Sequence, residues 1–387
     1  MSNRILKQLE ANESPDTHCS LCGRKFSKRV MQTEEHIFPK WLQQLHDLWT
    51  QRLTIPNLIG KTYNTVKIPL CQKCNTDRFS QVEGLVSQAF AADDPYAAVV
   101  DLPDDLLAVW LGKIFWLLAK KGNSITDFRT RNEPLSEQII PDWTVDHIHY
   151  VGLLERTYAT EKGMMACFAD DESFTLPYRK PFSLYRYRID PRSSFSFDFF
   201  DALAVNGVAL RSGNVGLICL FDGGLHDIYR SDRFDLLKQE VLRPLQFNEL
   251  AGRIFYDQTV LDPSARINTF YWNDFFNSVV AQVHLRRGRD PYLRENDDPM
   301  RFAVMVGRLT YRDPADVIWE QDGKVVGYNS VLFDAKGAFY PYPVTEEDVA
   351  AAKADPRIRV VPLDMSWRRD PLGEDRSERS CGQDGGR

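Results

Sequence analysis

Apolar residues along the chain fall into runs whose period assigns each to an element. Trp41, Leu42, Leu45, Leu48 and Trp49, just after Pro39, recur at spacings of three and four and predict a short helix. Phe79, Val82, Val86 and Phe90 repeat that spacing and predict a helix from Asn75 onward, packed on one face. The strongest helical stretch covers 104–121, with Leu107, Trp110, Leu111, Ile114, Leu117 and Leu118 on one broad face and Leu102-Pro103-Asp104 as its start signal. Beyond about residue 143 strands dominate. They are expected at 147–154, 164–168, 196–200, 205–210 and 215–221, the last being the clearest, with an earlier one at 65–70. Helices are expected at 233–241 and 246–261, the second on the stripe Phe247, Leu250, Ile254 and Phe255. Segments 302–306 and 317–328 suggest a hairpin turning at Gln321-Asp322-Gly323-Lys324, and Thr345 with Asp348 opens a short helix.

This mixture predicts an α+β chain in four parts. A module at 1–92 opens with a short helix or arm over 2–16; a helical connector at 93–142 follows Asp93-Asp94-Pro95. A larger α+β region fills 143–365, and a tail at 366–387, almost free of apolar residues, is expected to be disordered, with Cys381 an exposed thiol in it. With 43% hydrophobic and 12% aromatic residues over 387 positions, sizeable cores are expected. The apolar run 106–119 is broken by Gly112 and Lys113 and falls short of the roughly 20 residues a membrane span needs. No charged-then-apolar leader opens the chain, so the expected location is the cytoplasm, with no membrane partner.

Charge changes the picture at the N-terminus. The net charge is −6, yet residues 1–90 carry 12 Lys/Arg against 8 Asp/Glu, leaving the deficit to the remainder. A basic end fits a module that approaches phosphate, with Arg24, Lys25, Lys28 and Arg29 as the first candidate contacts, though a solvated basic face explains such a run equally well.

That basic run follows the first of two cysteine pairs. Cys19/Cys22 and Cys71/Cys74 are Cys-x-x-Cys turns, and two such turns present four thiolates in the geometry of a closed, structural Zn²⁺ site. Gly23, after the first pair, supplies the positive φ such a knuckle uses. A disulfide framework is the competing reading, disfavoured for a long chain of cytosolic character. Between the pairs lies Glu34-Glu35-His36-Ile-Phe-Pro39-Lys40-Trp41-Leu, and Asn75 follows the last cysteine directly.

These residues together resemble the HNH, or ββα-metal, endonucleases, most closely the four-cysteine branch with phage junction-resolving enzymes; the likeness covers roughly the first 90 residues. It implies a zinc-stapled ββα-metal module, followed here by the larger mixed α+β region. It further implies His36 as the general base activating water, with Glu35 and Asn75 holding one catalytic Mg²⁺ or Mn²⁺ and nucleic acid, DNA ahead of RNA, as substrate. Lys40 joins the implied nucleic-acid contacts. Glu34 competes with Glu35 for the ion, and Asn64 ranks ahead of Asn57 as the middle residue of the signature. Glu83, two helical turns beyond Asn75, is expected mainly as a surface carboxylate. Restriction or anti-phage defence is implied by analogy only, as is control through a nucleotide signal or homo-oligomerisation in the second half. The alternative from another class is a non-catalytic zinc ribbon that binds DNA or a protein.

Elsewhere the chain has no phosphate loop, no dinucleotide fingerprint and no His-Glu-x-x-His frame. Asp222-Gly223-Gly224 reads as a turn, His147, His149, His226 and His284 have no paired spacing with cysteine that would mark a second metal site, and Cys167 and Cys219 read as buried fillers. Arg286, Arg287 and Arg289 form a basic run that fits a solvated helix end as well as a backbone contact.

Overall fold

A computed structural model describes residues 16–54, 60–123, 163–169, 174–192, 196–262, 265, 267–273, 278–284, 290–293, 297–322, 324–334, 337–340 and 360–362. The expected elements at 2–16 (but for residue 16), 147–154 and 345–353, the tail, Asn57, and the basic run 286–289 lie outside them. The fold is mixed α+β. Contacts divide it into one unit of Met1–Tyr229 with Asp257–Glu295 and a second of Arg230–Tyr256 with Asn296–Arg387. The expected boundaries near 92 and 142 do not coincide with this division.

In the first unit, strand β1 (Gln32–His36) is followed by a short helix α1 (Lys40–Leu45), the strands β2 (Arg52–Thr54) and β3 (Gly60–Thr62), and β4 (Lys67–Cys71). β1 and β4 pair antiparallel, Gln32 opposite Cys71 and His36 opposite Lys67. A wide π turn at Lys73–Arg78 leads into helix α2 (Ser80–Phe90). Helix α3 (Pro95–Val100) comes next. Its N-cap is Asp94, which accepts from the Ala97 amide and is also bound by Arg188 and Asn214. The Asp-Asp-Pro read as a domain boundary is therefore a helix cap tied into the same body.

Helix α4 (Asp104–Asn123) is the spine of this unit. Its run from Leu106 to Ala119 is buried on all sides rather than on one face, with Gly112 and Lys113 its only breaks. Phe115 meets Phe221 at 5.4 Å between ring centroids. Strands β5 (Gly163–Ala169), β6 (Phe174–Arg179), β7 (Ser183–Ile189), β8 (Phe197–Ala202), β9 (Gly207–Ser212) and β10 (Val215–Leu220) follow. β10 pairs with both β7 and β9, and β9 with β8, all antiparallel. β9 and β10 are buried on both faces; β10 is an unbroken apolar run, while β9 ends in the buried Arg211 and Ser212. Asp222-Gly223-Gly224 is a turn as expected; a Cβ on Gly224 would lie 2.4 Å from the Lys180 carbonyl oxygen, so no larger residue fits.

His46, at the end of α1, fastens the N-terminal strands to β8 and β9. Its Nδ1 lies 2.8 Å from Ser196 Oγ and its Nε2 2.6 Å from Ser212 Oγ. Burial, with the Arg211 charge adding, depresses its pKa from 6.5 to about 4. An unfolded His46 takes up a proton below 6.5 while the folded one resists to about 4, so its contribution is complete above 6.5 and is lost as pH falls through that window. Urea midpoints should decline from pH 6.5 to pH 4, and His46→Gln should flatten that decline; equal slopes for both proteins would exclude His46 as its source.

Helix α5 (Leu225–Asp235) and helix α6 (Pro244–Thr259) span the division between units, with the short strand β11 (Val241–Leu242) between them. The expected helix at 233–241 starts eight residues earlier, straight from the Gly-Gly turn. In the first unit, β12 (Ile267–Asn273) pairs antiparallel with β13 (Ser278–His284), which runs parallel to β5. In the second, helix α7 (Pro299–Thr310) covers 302–306, expected as a strand. Asp298 caps it, accepting from the Met300 and Arg301 amides, with Pro299 at the first helical position. Helix α8 (Pro314–Val317) then leads to a hairpin of β14 (Ile318–Gln321) and β15 (Lys324–Asn329), as expected, and β16 (Val360–Pro362) pairs with β15. Glu249 anchors this unit. Fully buried, it accepts from Arg253, Arg312, Ser330 and the Val331 amide, and those charges hold its carboxyl low against the burial that would raise it.

Candidate functional site

The two cysteine turns close on each other. Gly23 takes φ 64°, the Gly23 amide donates to the Cys19 carbonyl at 2.8 Å, and the Cys19 amide to the Arg24 carbonyl at 2.9 Å, folding the first knuckle. Ser20 is fixed to the Pro69 carbonyl on β4, and its own carbonyl accepts from Trp116 Nε1 of α4 at 2.6 Å. The second knuckle bridges the end of β4 and the π turn.

All four thiols are buried and free of disulfides, and the four sulfurs lie within 4.8 Å of one another. Four Zn–S bonds of about 2.3 Å in a tetrahedron place sulfurs about 3.8 Å apart. Cys22 Sγ and Cys71 Sγ are 3.7 Å apart, so the set fits such an ion. The Cys71 amide donates to Cys19 Sγ at 3.2 Å, and the Arg24 guanidinium donates to Cys22 Sγ at 3.3 Å and Cys71 Sγ at 3.5 Å. Hydrogen bonds from Cys19 and Cys74 hold the Cys22 and Cys71 thiols far below their ordinary range, and the two donors are pushed up in turn. Thiolates so disposed recruit a cation. Arg24, expected at phosphate, instead balances their charge.

β1 carries the other candidates, and alternation separates them. Thr33 and Glu35 share one face, and His36 lies on the other. Asn75 reaches the first face: its Nδ2 donates to Thr33 Oγ1 at 3.0 Å. Glu35 Oε1 accepts from Lys113 Nζ of α4 at 2.6 Å, and Glu83 Oε1 of α2 accepts from the same ammonium at 2.6 Å. Glu83 is thus the second arm of an ion-paired triad and not a solvated carboxylate. Burial raises Glu35 above its ordinary pKa, against Lys113, and the Glu83 charge adds to the rise. Burial by itself would lower Lys113, yet the two carboxylates outweigh it and raise it. One ammonium serving two carboxylates leaves the triad at −1.

His36 is buried against Trp49, with ring centroids 5.8 Å apart. A hydrogen bond to the Asn64 backbone supports its charged form, but burial, then Lys67 and Lys40, depress its pKa, so it is neutral near pH 7. Its Nε2 is buried without a hydrogen-bond partner. Asn64 sits in a short 3₁₀ turn, its Oδ1 accepting from Thr62 Oγ1 at 2.6 Å. Lys40 is exposed at the start of α1. Lys25, Lys28, Arg29 and Glu34 are exposed too.

Sequence reasoning passed over Lys67 and Lys113. Lys67 is recognisable only once the β1–β4 register sets it opposite His36. Lys113 left a signal, a single charge inside an otherwise apolar helical run, since lysine is almost never fully buried without a partner.

Fold and site together define a mixed α+β protein whose buried four-cysteine group could hold a metal such as zinc. Among the described residues no helix is long and apolar enough to cross a membrane. No family model, curated protein or solved structure matches the chain.

Proposed function

We propose that the chain is a zinc-stapled endonuclease of the HNH type, hydrolysing phosphodiester bonds of nucleic acid, DNA ahead of RNA. The observation that carries this reading is His36. A neutral imidazole, oriented by the Asn64 backbone and with a buried, unpartnered Nε2, is an acceptor waiting for a donor, and a water bound there would lose its proton to it. The water oxygen then bonds to phosphorus as the bond to the leaving oxygen breaks. Lys40 and Lys67, whose charges already reach His36, supply the positive surroundings a phosphate needs. A place in restriction or antiviral defence rests on the resemblance alone.

The Mg²⁺ or Mn²⁺ implied for Glu35 and Asn75 would meet a Glu35 carboxylate already paired with the Lys113 ammonium, while Asn75 spends only its Nδ2, on Thr33. That commitment favours one second reading, a zinc-ribbon adaptor that binds DNA or a protein without cutting. Zinc-loaded protein incubated with supercoiled plasmid and with single-stranded RNA, in Mg²⁺, Mn²⁺ or EDTA, separates the two. Nicking of either substrate supports the nuclease. Intact substrates under every condition, with DNA retained by the protein, select the adaptor.

A further inference from the structure

Lys113 is the one charged residue in the run from Leu106 to Ala119. Its side chain is 2% exposed, its Nζ lies 2.6 Å from a carboxylate oxygen of Glu35 on β1 and of Glu83 on α2, and it stands 5.4 Å above the Phe79 ring. Three elements thus converge on one ammonium. The helix that carries it is packed all round, so Lys113 has no solvent to retreat to. Taking it off both carboxylates would leave an uncompensated charge inside the protein, among the costliest changes an interior can suffer.

We propose that Lys113 is the resident cation of the Glu35 site, standing where the resemblance puts a divalent ion, and that Glu35 and Glu83 take up no Mg²⁺ or Mn²⁺ while it is there. A divalent ion at Glu35 would meet a positive charge already bound to the same carboxylate, and its own attraction to the pair would be spent against that repulsion. Lys113 is therefore a positioning residue. It fixes the Glu35 carboxylate on the face of β1 opposite His36 and supplies positive charge at that carboxylate without an exchangeable metal. If the nuclease reading holds, cleavage needs the structural zinc and proceeds without added Mg²⁺, a consequence that rests on that reading; the cation assignment itself does not.

Mn²⁺ binding decides it. Free Mn²⁺ is counted by electron paramagnetic resonance during titration of zinc-loaded protein. The wild type should take up no stoichiometric Mn²⁺, whereas Lys113→Met should gain one ion, on the order of tenfold tighter or more, held by the freed carboxylates. Lys113→Met places two carboxylates face to face and can fail to fold. The double variant Lys113→Met with Glu83→Gln keeps the same net charge of −1 and should also bind one Mn²⁺, lost again on adding Glu35→Gln. A lysine with a merely structural role would leave Mn²⁺ uptake unchanged. One equivalent of Mn²⁺ on the wild type that disappears in Glu35→Gln, or none on the folded double variant, overturns the proposal. Absence of cleavage alongside the expected binding pattern sinks the nuclease reading alone.

Discussion

Cys74→Ser should release the zinc and unfold β1, β4 and the start of α2 together. These elements are short: β1 and β4 are five residues each, and two-stranded pairs of that size are marginal in water. What holds them is the knuckle pair, whose four buried sulfurs join the loop before β1 to the end of β4 and the π turn. A structural zinc supplies on the order of 10 kcal/mol to folding in small modules, several times what the packing of one buried side chain gives. Without the ion the thiols share protons unequally, Cys22 and Cys71 driven towards thiolate and Cys19 and Cys74 away from it, with the single Arg24 guanidinium as the cation beside the two thiolates. Loss should show as one equivalent of zinc fewer, faster proteolysis between β1 and α2, and a lower melting temperature. A serine variant that lacks zinc and melts with the wild type would mean that the remaining contacts, such as Trp116 to the Ser20 carbonyl, suffice without the ion. Acid should act in the same direction, because protons compete with the metal for the thiolates.

What could be read from the sequence was what short range determines. Cysteine spacing and Gly23 gave the knuckles because a tetrahedral ion imposes both locally. The period of 104–121 gave α4 because helical propensity and burial agree there, as a continuous apolar run gave β10. Failures came where distant partners or competing signals decide. Segment 302–306 looked like a strand on its Val and Phe content, but Asp298-Pro299 opens a helix whose buried stripe is Phe302, Val306 and Leu309. Arg24 looked like a phosphate contact because charge reveals sign and not orientation, and the thiolates two residues earlier and across the hairpin claim it. Lys113 lies 78 residues from Glu35 and 30 from Glu83, so no local rule could join them. Asn75, expected at a helix start, lies in the π turn ahead of α2, and its amide turns to Thr33, a pairing set by the strand register.

On the proposed nuclease reading, His36→Ala should lower cleavage by about 10²–10⁴-fold while leaving zinc and fold in place, since that is what a positioned general base contributes. Its buried ring packs against Trp49 and is no part of the thiolate cluster, so stability should change less than in Cys74→Ser. The pH profile carries the sharper test. The imidazole must be unprotonated to accept a proton from water, so the rate should rise with pH up to the His36 pKa and then level. Burial, then Lys67 and Lys40, hold that value below 6.5, which places the plateau across neutrality. Lys67→Met removes one of those positive neighbours, so the rise should move to higher pH even though the base itself is untouched. An alanine variant that cuts at the wild-type rate, or a profile that ignores Lys67→Met, would assign the proton to another group. A shift in the expected sense would tie the kinetic base to the one ring that both β4 and the start of α1 face with positive charge.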